Sequence, residues 1–387
     1  DLTLRFVSEP SSAIQKPGGP VHLRCAAEPA TARLSWLFNG EPLADVLGGV
    51  EIQPGSLTIA SLGPSTAGYY QCMANSSLGA VVSSPAAVSM ASLADFAPSA
   101  KPAAVAAEEG GSAIIGCEVP ASHPKAQVRF QVRGKWLEQS TDNYLILPSG
   151  NLQIVNVSLE DQGSYKCAAY NPVTDELRVE PAGRKLTVTP SSSGGFHVLH
   201  PLTPQSLALP RHSSLTLECV VGGSPAPVRW LKDGHEAPGR GRWKLLRSHL
   251  VTNRLEAADA GNYSCVVGDE AGGVEYVNYS LTVLEPASIS KGLRDETAAA
   301  GATVHFWCEA RGTPAPDLAW LHNAAPLRLS PRHQPMGNRL QIRGVTPEDS
   351  GLYQCVASNG MGFTQSTGRL RVWPGRSTCT LQSSGSA

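Results

Sequence analysis

Short runs in which apolar and polar residues alternate recur along the chain. Examples are Val21-His22-Leu23-Arg24-Cys25, Ser56-Leu57-Thr58-Ile59-Ala60 and Arg339-Leu340-Gln341-Ile342-Arg343. A period of two turns every second side chain to the same face, so each run predicts a half-buried strand. Turn signals separate the runs: Asn39-Gly40 and Asp233-Gly234 each predict a tight hairpin. An extended phrase, Gly223-Ser224-Pro225-Ala226-Pro227, precedes Trp230 and returns as Gly312-Thr313-Pro314-Ala315-Pro316 before Trp320. The pattern predicts an all-β chain with internal repeats.

One stretch fixes the repeat. Glu160-Asp161-Gln162-Gly163-Ser164-Tyr165-Lys166-Cys167 recurs as Ala258-Asp259-Ala260-Gly261-Asn262-Tyr263-Ser264-Cys265 and as Glu348-Asp349-Ser350-Gly351-Leu352-Tyr353-Gln354-Cys355. A weaker copy, Thr66-Ala67-Gly68-Tyr69-Tyr70-Gln71-Cys72, has Thr66 in place of the Asp. The Asp carboxylate can accept backbone N–H groups and tighten the turn, and the Gly allows angles that a Cβ forbids. A Tyr two residues before a Cys fits the tyrosine corner of an immunoglobulin sandwich. The expected fold is therefore all-β, with four tandem immunoglobulin-like domains of the I-set type. Their expected spans are 1–91, 92–189, 196–285 and 286–373, with a flexible linker at 190–195 and a disordered tail at 374–387. Trp36, Trp230 and Trp320 follow the first cysteine of their repeats as a core tryptophan should. In the second repeat Phe130 takes that place, and Trp136 falls on the next strand.

Eight of nine cysteines pair by spacing, one pair per repeat: Cys25 with Cys72, Cys117 with Cys167, Cys219 with Cys265 and Cys308 with Cys355. Each such loop, if closed, removes about 4 kcal/mol of unfolded-chain entropy on the chain-entropy model. Disulfides persist mainly outside the cytosol. Four Asn-x-Ser sequons, at Asn75, Asn156, Asn262 and Asn278, point the same way and are expected to carry glycans. The ninth, Cys379, lies in the tail, where an intermolecular bridge is the alternative to a free thiol. The gap between the second and third repeats is longer than the other two and contains Pro190-Ser191-Ser192-Ser193-Gly194-Gly195, a flexible composition. Domains three and four are expected to fold back there on domains one and two, with an extended rod as the alternative.

A net charge of -1 over 387 residues argues against a general nucleic-acid binder. No apolar run is long enough to span a membrane, and Asp1-Leu2-Thr3-Leu4-Arg5 does not read as a signal peptide. The expectation is a processed extracellular fragment. No catalytic, metal or cofactor constellation is expected. His197-Val198-Leu199-His200 lacks a third ligand, and Gly239-Arg240-Gly241 lacks the ending of a phosphate loop. On a strand, Arg240, Arg242 and Lys244 would form a row about 6–7 Å apart that could take heparan sulfate. The alternative is a charged edge strand that resists aggregation.

Longer runs carry a resemblance. Tyr144-Leu145-Ile146-Leu147-Pro148-Ser149-Gly150-Asn151-Leu152-Gln153-Ile154, Lys166-Cys167-Ala168-Ala169-Tyr170-Asn171-Pro172-Val173-Thr174 and Ala287-Ser288-Ile289-Ser290-Lys291-Gly292-Leu293 are similar to the CDO-type receptor family. The likeness covers residues 1 to about 372 and extends less closely to the BOC and DCC/neogenin/Robo receptors. It implies a single-pass cell-surface receptor in which immunoglobulin repeats precede fibronectin type III repeats that this chain lacks. It also implies a role as Hedgehog co-receptor in cell contact and differentiation, with muscle and neural settings. Cadherins, BOC- or neogenin-like receptors, the Hedgehog receptor complex or a secreted ligand would be its partners. A secreted immunoglobulin-repeat protein, or an axon-guidance receptor of the DCC, Robo or contactin type, is the alternative.

Overall fold

The structure, a computed structural model, describes residues 4–43, 48–98, 103–192, 194–237, 241–269 and 271–375. The expectations for Cys379 and most of the tail, and for Arg240, fall outside these residues. Two compact units divide the chain, with main boundaries at Ser89/Met90 and Leu284/Glu285 and the short segment Ile14–Pro17 grouped with Met90–Leu284. One unit holds the first and fourth domains and the other the second and third.

In the second unit, domain two sets a three-stranded sheet, Ala113–Ile115, Leu152–Ile154 and Tyr144–Ile146, against a larger one. The larger sheet contains Gln127–Val132, Gly163–Asn171 and Lys135–Leu137, and Ala103–Glu108 runs parallel to Arg184–Thr189 at its edge. Phe130 lies opposite Cys167 and is fully buried, so the ring that replaces tryptophan does cover the Cys117–Cys167 bond. Trp136 is on the next strand with its ring exposed. Domain three repeats the plan. Leu215–Leu217, His249–Thr252 and Trp243–Leu246 face a sheet containing Val228–Lys232 and Gly261–Asp269, and Trp230 lies opposite Cys265.

In the first unit, domain one pairs Val21–Arg24 with Ser56–Ile59 and Arg33–Phe38 with Gly68–Ser76, which puts Trp36 beside Cys72. Domain four pairs Val304–Trp307 with Arg339–Ile342 and Asp317–His322 with Gly351–Ser358, which puts Trp320 beside Cys355. Each domain carries one disulfide: Cys25–Cys72, Cys117–Cys167, Cys219–Cys265 and Cys308–Cys355.

The four corners are built as the repeat requires. The hydroxyls of Tyr70, Tyr165, Tyr263 and Tyr353 donate to the backbone carbonyls of Thr66, Asp161, Asp259 and Asp349, at 2.6, 2.5, 2.6 and 2.7 Å. Burial pushes the Tyr70 phenol up to about 12. Each Asp accepts a backbone N–H three residues upstream, from Ser158, Glu256 or Thr346. In domain one Thr66 substitutes by accepting the Gly63 N–H through its Oγ1 at 2.9 Å. At Gly261, φ is +150° and a Cβ would sit 2.8 Å from Asp233 Oδ2, so glycine is needed for close approach as well as for the angle.

Candidate interaction surfaces

On a strand, residues that alternate with the core point outward, and a neighbouring domain is what can bury them. Domain four shows this on Gly351–Ser358. Tyr353 and Cys355 face its own core, yet Leu352 and Gln354 on the outward side are buried too. Domain one covers them: Leu352 packs into an apolar cluster with Leu4, Ala74 and Val81. The Gln354 side-chain amide copies a strand partner. It accepts the Val82 N–H at 2.9 Å and donates to the Val82 carbonyl at 2.8 Å. Gln354 also donates to Gln365, and Gln365 donates to Glu9 at 3.0 Å. Tyr69 and Phe363 meet edge-on, 6.5 Å between centroids. Gly79 lies tight in the seam, since a Cβ there would sit 2.3 Å from Asn323 Oδ1.

In the other unit, domains two and three meet through the outward side of their smaller sheets. Leu152 and Ile154 face the core of domain two, and Leu250 faces that of domain three. Their outward neighbours Gln153 and His249 are both buried, and His249 Nε2 lies 2.6 Å from Gln153 Oε1. The Cys219 N–H donates to His249 Nδ1 at 3.0 Å. With Nδ1 accepting, the proton of the neutral ring is on Nε2 and is donated to Gln153. Burial pushes the His249 pKa down to about 4; Glu218 opposes that shift and His200 adds to it. Ser149 Oγ donates to Glu218 at 2.8 Å, and Leu145, Leu147 and Val220 close the seam with apolar contacts. From the linker, Ser192 Oγ donates to Glu108 at 2.8 Å and the Gly195 carbonyl accepts the Ser224 N–H at 2.9 Å.

The Asn residues of all four sequons are exposed. Asn75 lies within the strand Gly68–Ser76 rather than in the turn beyond it, and Asn156 follows Leu152–Ile154. Asn262 and Asn278 are on paired strands, with Asn262 opposite Ser280 and Ser264 opposite Asn278. Each sequon's Asn therefore faces the other's Ser, and Ser264 Oγ donates to Asn278 Oδ1 at 2.8 Å.

Of the basic row, Lys244 is exposed on Trp243–Leu246, while Arg242 is engaged elsewhere. Its guanidinium donates to both carboxylate oxygens of the buried Asp259, at 2.8 and 3.1 Å. Burial alone would raise the Asp259 pKa, but the bonds from Arg242, Trp243 and the Glu256 N–H leave it below the usual range. Arg332 and His333 hold Asp349 in the same way, and the Tyr144 hydroxyl bonds Asp161. Residues at or just before the start of the smaller sheet's edge strand thus brace the corner. Sequence reading missed this because the partner is 16 or 17 residues away, in the short 3-10 turn that precedes the corner strand. Among the described residues no group of His, Cys, Asp and Glu could hold a metal, and no helix is long and apolar enough to cross a membrane.

The comparisons agree with this architecture. A family model described as "Immunoglobulin domain" matches residues 5–76, 99–171, 198–268 and 286–359. The chain is similar to human "Cell adhesion molecule-related/down-regulated by oncogenes", 58% identical over 373 residues that make up 96% of this chain and 29% of the relative. Human "Brother of CDO" is 41% identical over 94% of this chain and 33% of its own length. Human "Protogenin" is 30% identical over 95% and 32%. The chain thus spans about a third of the curated relatives it matches. Among solved structures, the N-terminal four immunoglobulin domains of Dscam1 isoform 1.9 superpose with a TM-score of 0.74 at 24% identity, covering 96% of this chain and 99% of that one. Sidekick-1 immunoglobulin domains 1–4 give 0.72 at 24% identity over 96% and 99%; both likenesses concern the fold alone. The first of these relatives is named as cell adhesion molecule-related. With four matched segments, four intradomain disulfides and four tyrosine corners, the chain belongs to the immunoglobulin-domain family, among adhesion-molecule relatives of the CDO and BOC kind.

Proposed function

We propose that this chain is the immunoglobulin-repeat part of a single-pass cell-surface adhesion receptor and Hedgehog co-receptor of the CDO type, joining cell-cell contact to differentiation. The observation that carries the reading is 58% identity over 96% of the chain to a cell adhesion molecule. In the family the chain resembles, Hedgehog binding is assigned to a fibronectin repeat, and all four matched segments here are immunoglobulin domains. The role of this part is then association with other surface proteins, such as cadherins and BOC- or neogenin-like receptors, through sandwich faces. The four sequons carry glycans, which restrict contact to the faces they leave bare.

The test is a full-length receptor expressed in receptor-null cells, intact or with the four domains removed, scored for surface-protein capture and for a differentiation reporter. Loss of both on removal, with Hedgehog ligand still retained at the surface, is the expected result. Unchanged capture and reporter output would remove the reading.

A further inference from the structure

The larger-sheet faces of the four domains are not equally available. In domain four that face is covered by domain one through Leu352 and Gln354, and Tyr69 of domain one joins the same contact. In domain three it bears both Asn262 and Asn278. Among the described residues of its own unit, no neighbouring domain covers this face of domain two, and no sequon lies on it. Its outward row contains Trp136, Leu177 and Val179, 46, 39 and 40% exposed. Register places Trp136 beside Gln131, Val179 beside Ala168, and Leu177 beside Tyr170, so these side chains share one surface. At its centre the Arg129 guanidinium lies 4.2 Å from the Tyr170 ring centroid, with Glu138 3.6 Å away from Arg129. An exposed aromatic and aliphatic surface with a polar rim is the composition of a protein-binding face.

Its charges point to the occupant. Lys166 lies within the strand Gly163–Asn171, four residues before Tyr170, and Asp175, in the turn after the strand, accepts a hydrogen bond from the Tyr170 hydroxyl. Lys166 and the Tyr170 that holds Asp175 are roughly 13 Å apart at strand rise. Arg129 and Glu138 neutralise each other between them. A two-fold axis lying in the contact plane and across the strands reverses them, so it sets each Lys166 against the other copy's Asp175, with the Arg129–Glu138 pairs at the middle and apolar flank on apolar flank. We propose that this face of domain two is the site at which a second copy of the chain docks. The inference takes its cellular meaning from the adhesion reading, but whether the contact forms does not depend on it. Purified protein can pair even if cells show no adhesive role, and a chain that stays monomeric would leave the receptor reading standing.

Sedimentation velocity of the glycosylated chain across a range of micromolar concentrations tests this. The wild type should shift towards a dimer as concentration rises, and Leu177→Glu should weaken that association at least about tenfold with an unchanged melting temperature. Lys166→Glu and Asp175→Lys should each weaken it alone, by like-charge contact at both ends. An equimolar mixture of the two single variants should pair again, since every contact in the mixed dimer joins opposite charges. A wild type monomeric at every concentration, a Leu177→Glu variant that dimerises as well as wild type, or a mixture no better than its components would each overturn the proposal.

Discussion

The seam between domains two and three should loosen in mild acid, and one ring sets the amount. His249 Nδ1 accepts the Cys219 N–H while Nε2 meets Gln153. Protonation would place a second N–H against the Cys219 donor in a site without water access. The folded ring titrates near 4 and an unfolded histidine near 6.5. The unfolded form therefore binds more protons between these values. Stability is complete above about 6.5 and falls as pH drops towards 4. With those two values the loss between pH 7.5 and pH 5 is about 2 kcal/mol, or roughly thirty-fold in the opening equilibrium. Hydrogen exchange of the segments around Cys219 and His249, corrected for intrinsic rate, reads that change directly. The control is His249→Asn. In domain two Asn151 Oδ1 accepts the Cys117 N–H at 3.0 Å, so asparagine can keep the acceptor without titrating. If His249→Asn retains the full acid sensitivity of the wild type between pH 7.5 and pH 5, the reasoning fails.

Other outcomes follow from the remaining contacts. Gln354→Ala strands a buried N–H and carbonyl at Val82, so the seam between domains one and four should weaken by about 2–4 kcal/mol, visible as faster exchange over Gly79–Val82. Gly79→Ala should open the same seam by collision with Asn323 while leaving both domains folded, as judged by their melting. Tyr263→Phe leaves the Asp259 carbonyl without its buried donor and should cost domain three about 1–3 kcal/mol in denaturant unfolding. Asn→Gln at each of positions 75, 156, 262 and 278 should remove one glycan mass from the intact protein, and a position whose substitution leaves the mass unchanged carries none.

Much of a single domain could be read from residue order. Glycine and tyrosine in the repeat built the corner in all four domains, and Thr66 replaced the missing carboxylate through its hydroxyl. Phe130 took over the tryptophan position without loss of cover on the disulfide. The reading faltered where a side chain serves a distant turn. Arg242 looked like part of a free basic row because its partner, Asp259, becomes adjacent only when the sandwich closes.

The sequence by itself determined the repeat, the strand alternation and the cysteine pairs, because these depend on a period of two and on residues a fixed distance apart. Only the tertiary structure decided which outward faces meet a neighbour. Alternation separates a domain's own core from its outside, but the same polar code serves an outside that meets water and one that meets another domain. Gln153, His249 and Gln354 are polar residues at outward positions, yet all three are buried because a second domain supplies their hydrogen bonds. Leu352 and Tyr69, a large apolar and an aromatic residue where their counterparts are Ser164 and Asn262, were the local signs that such a face would be covered.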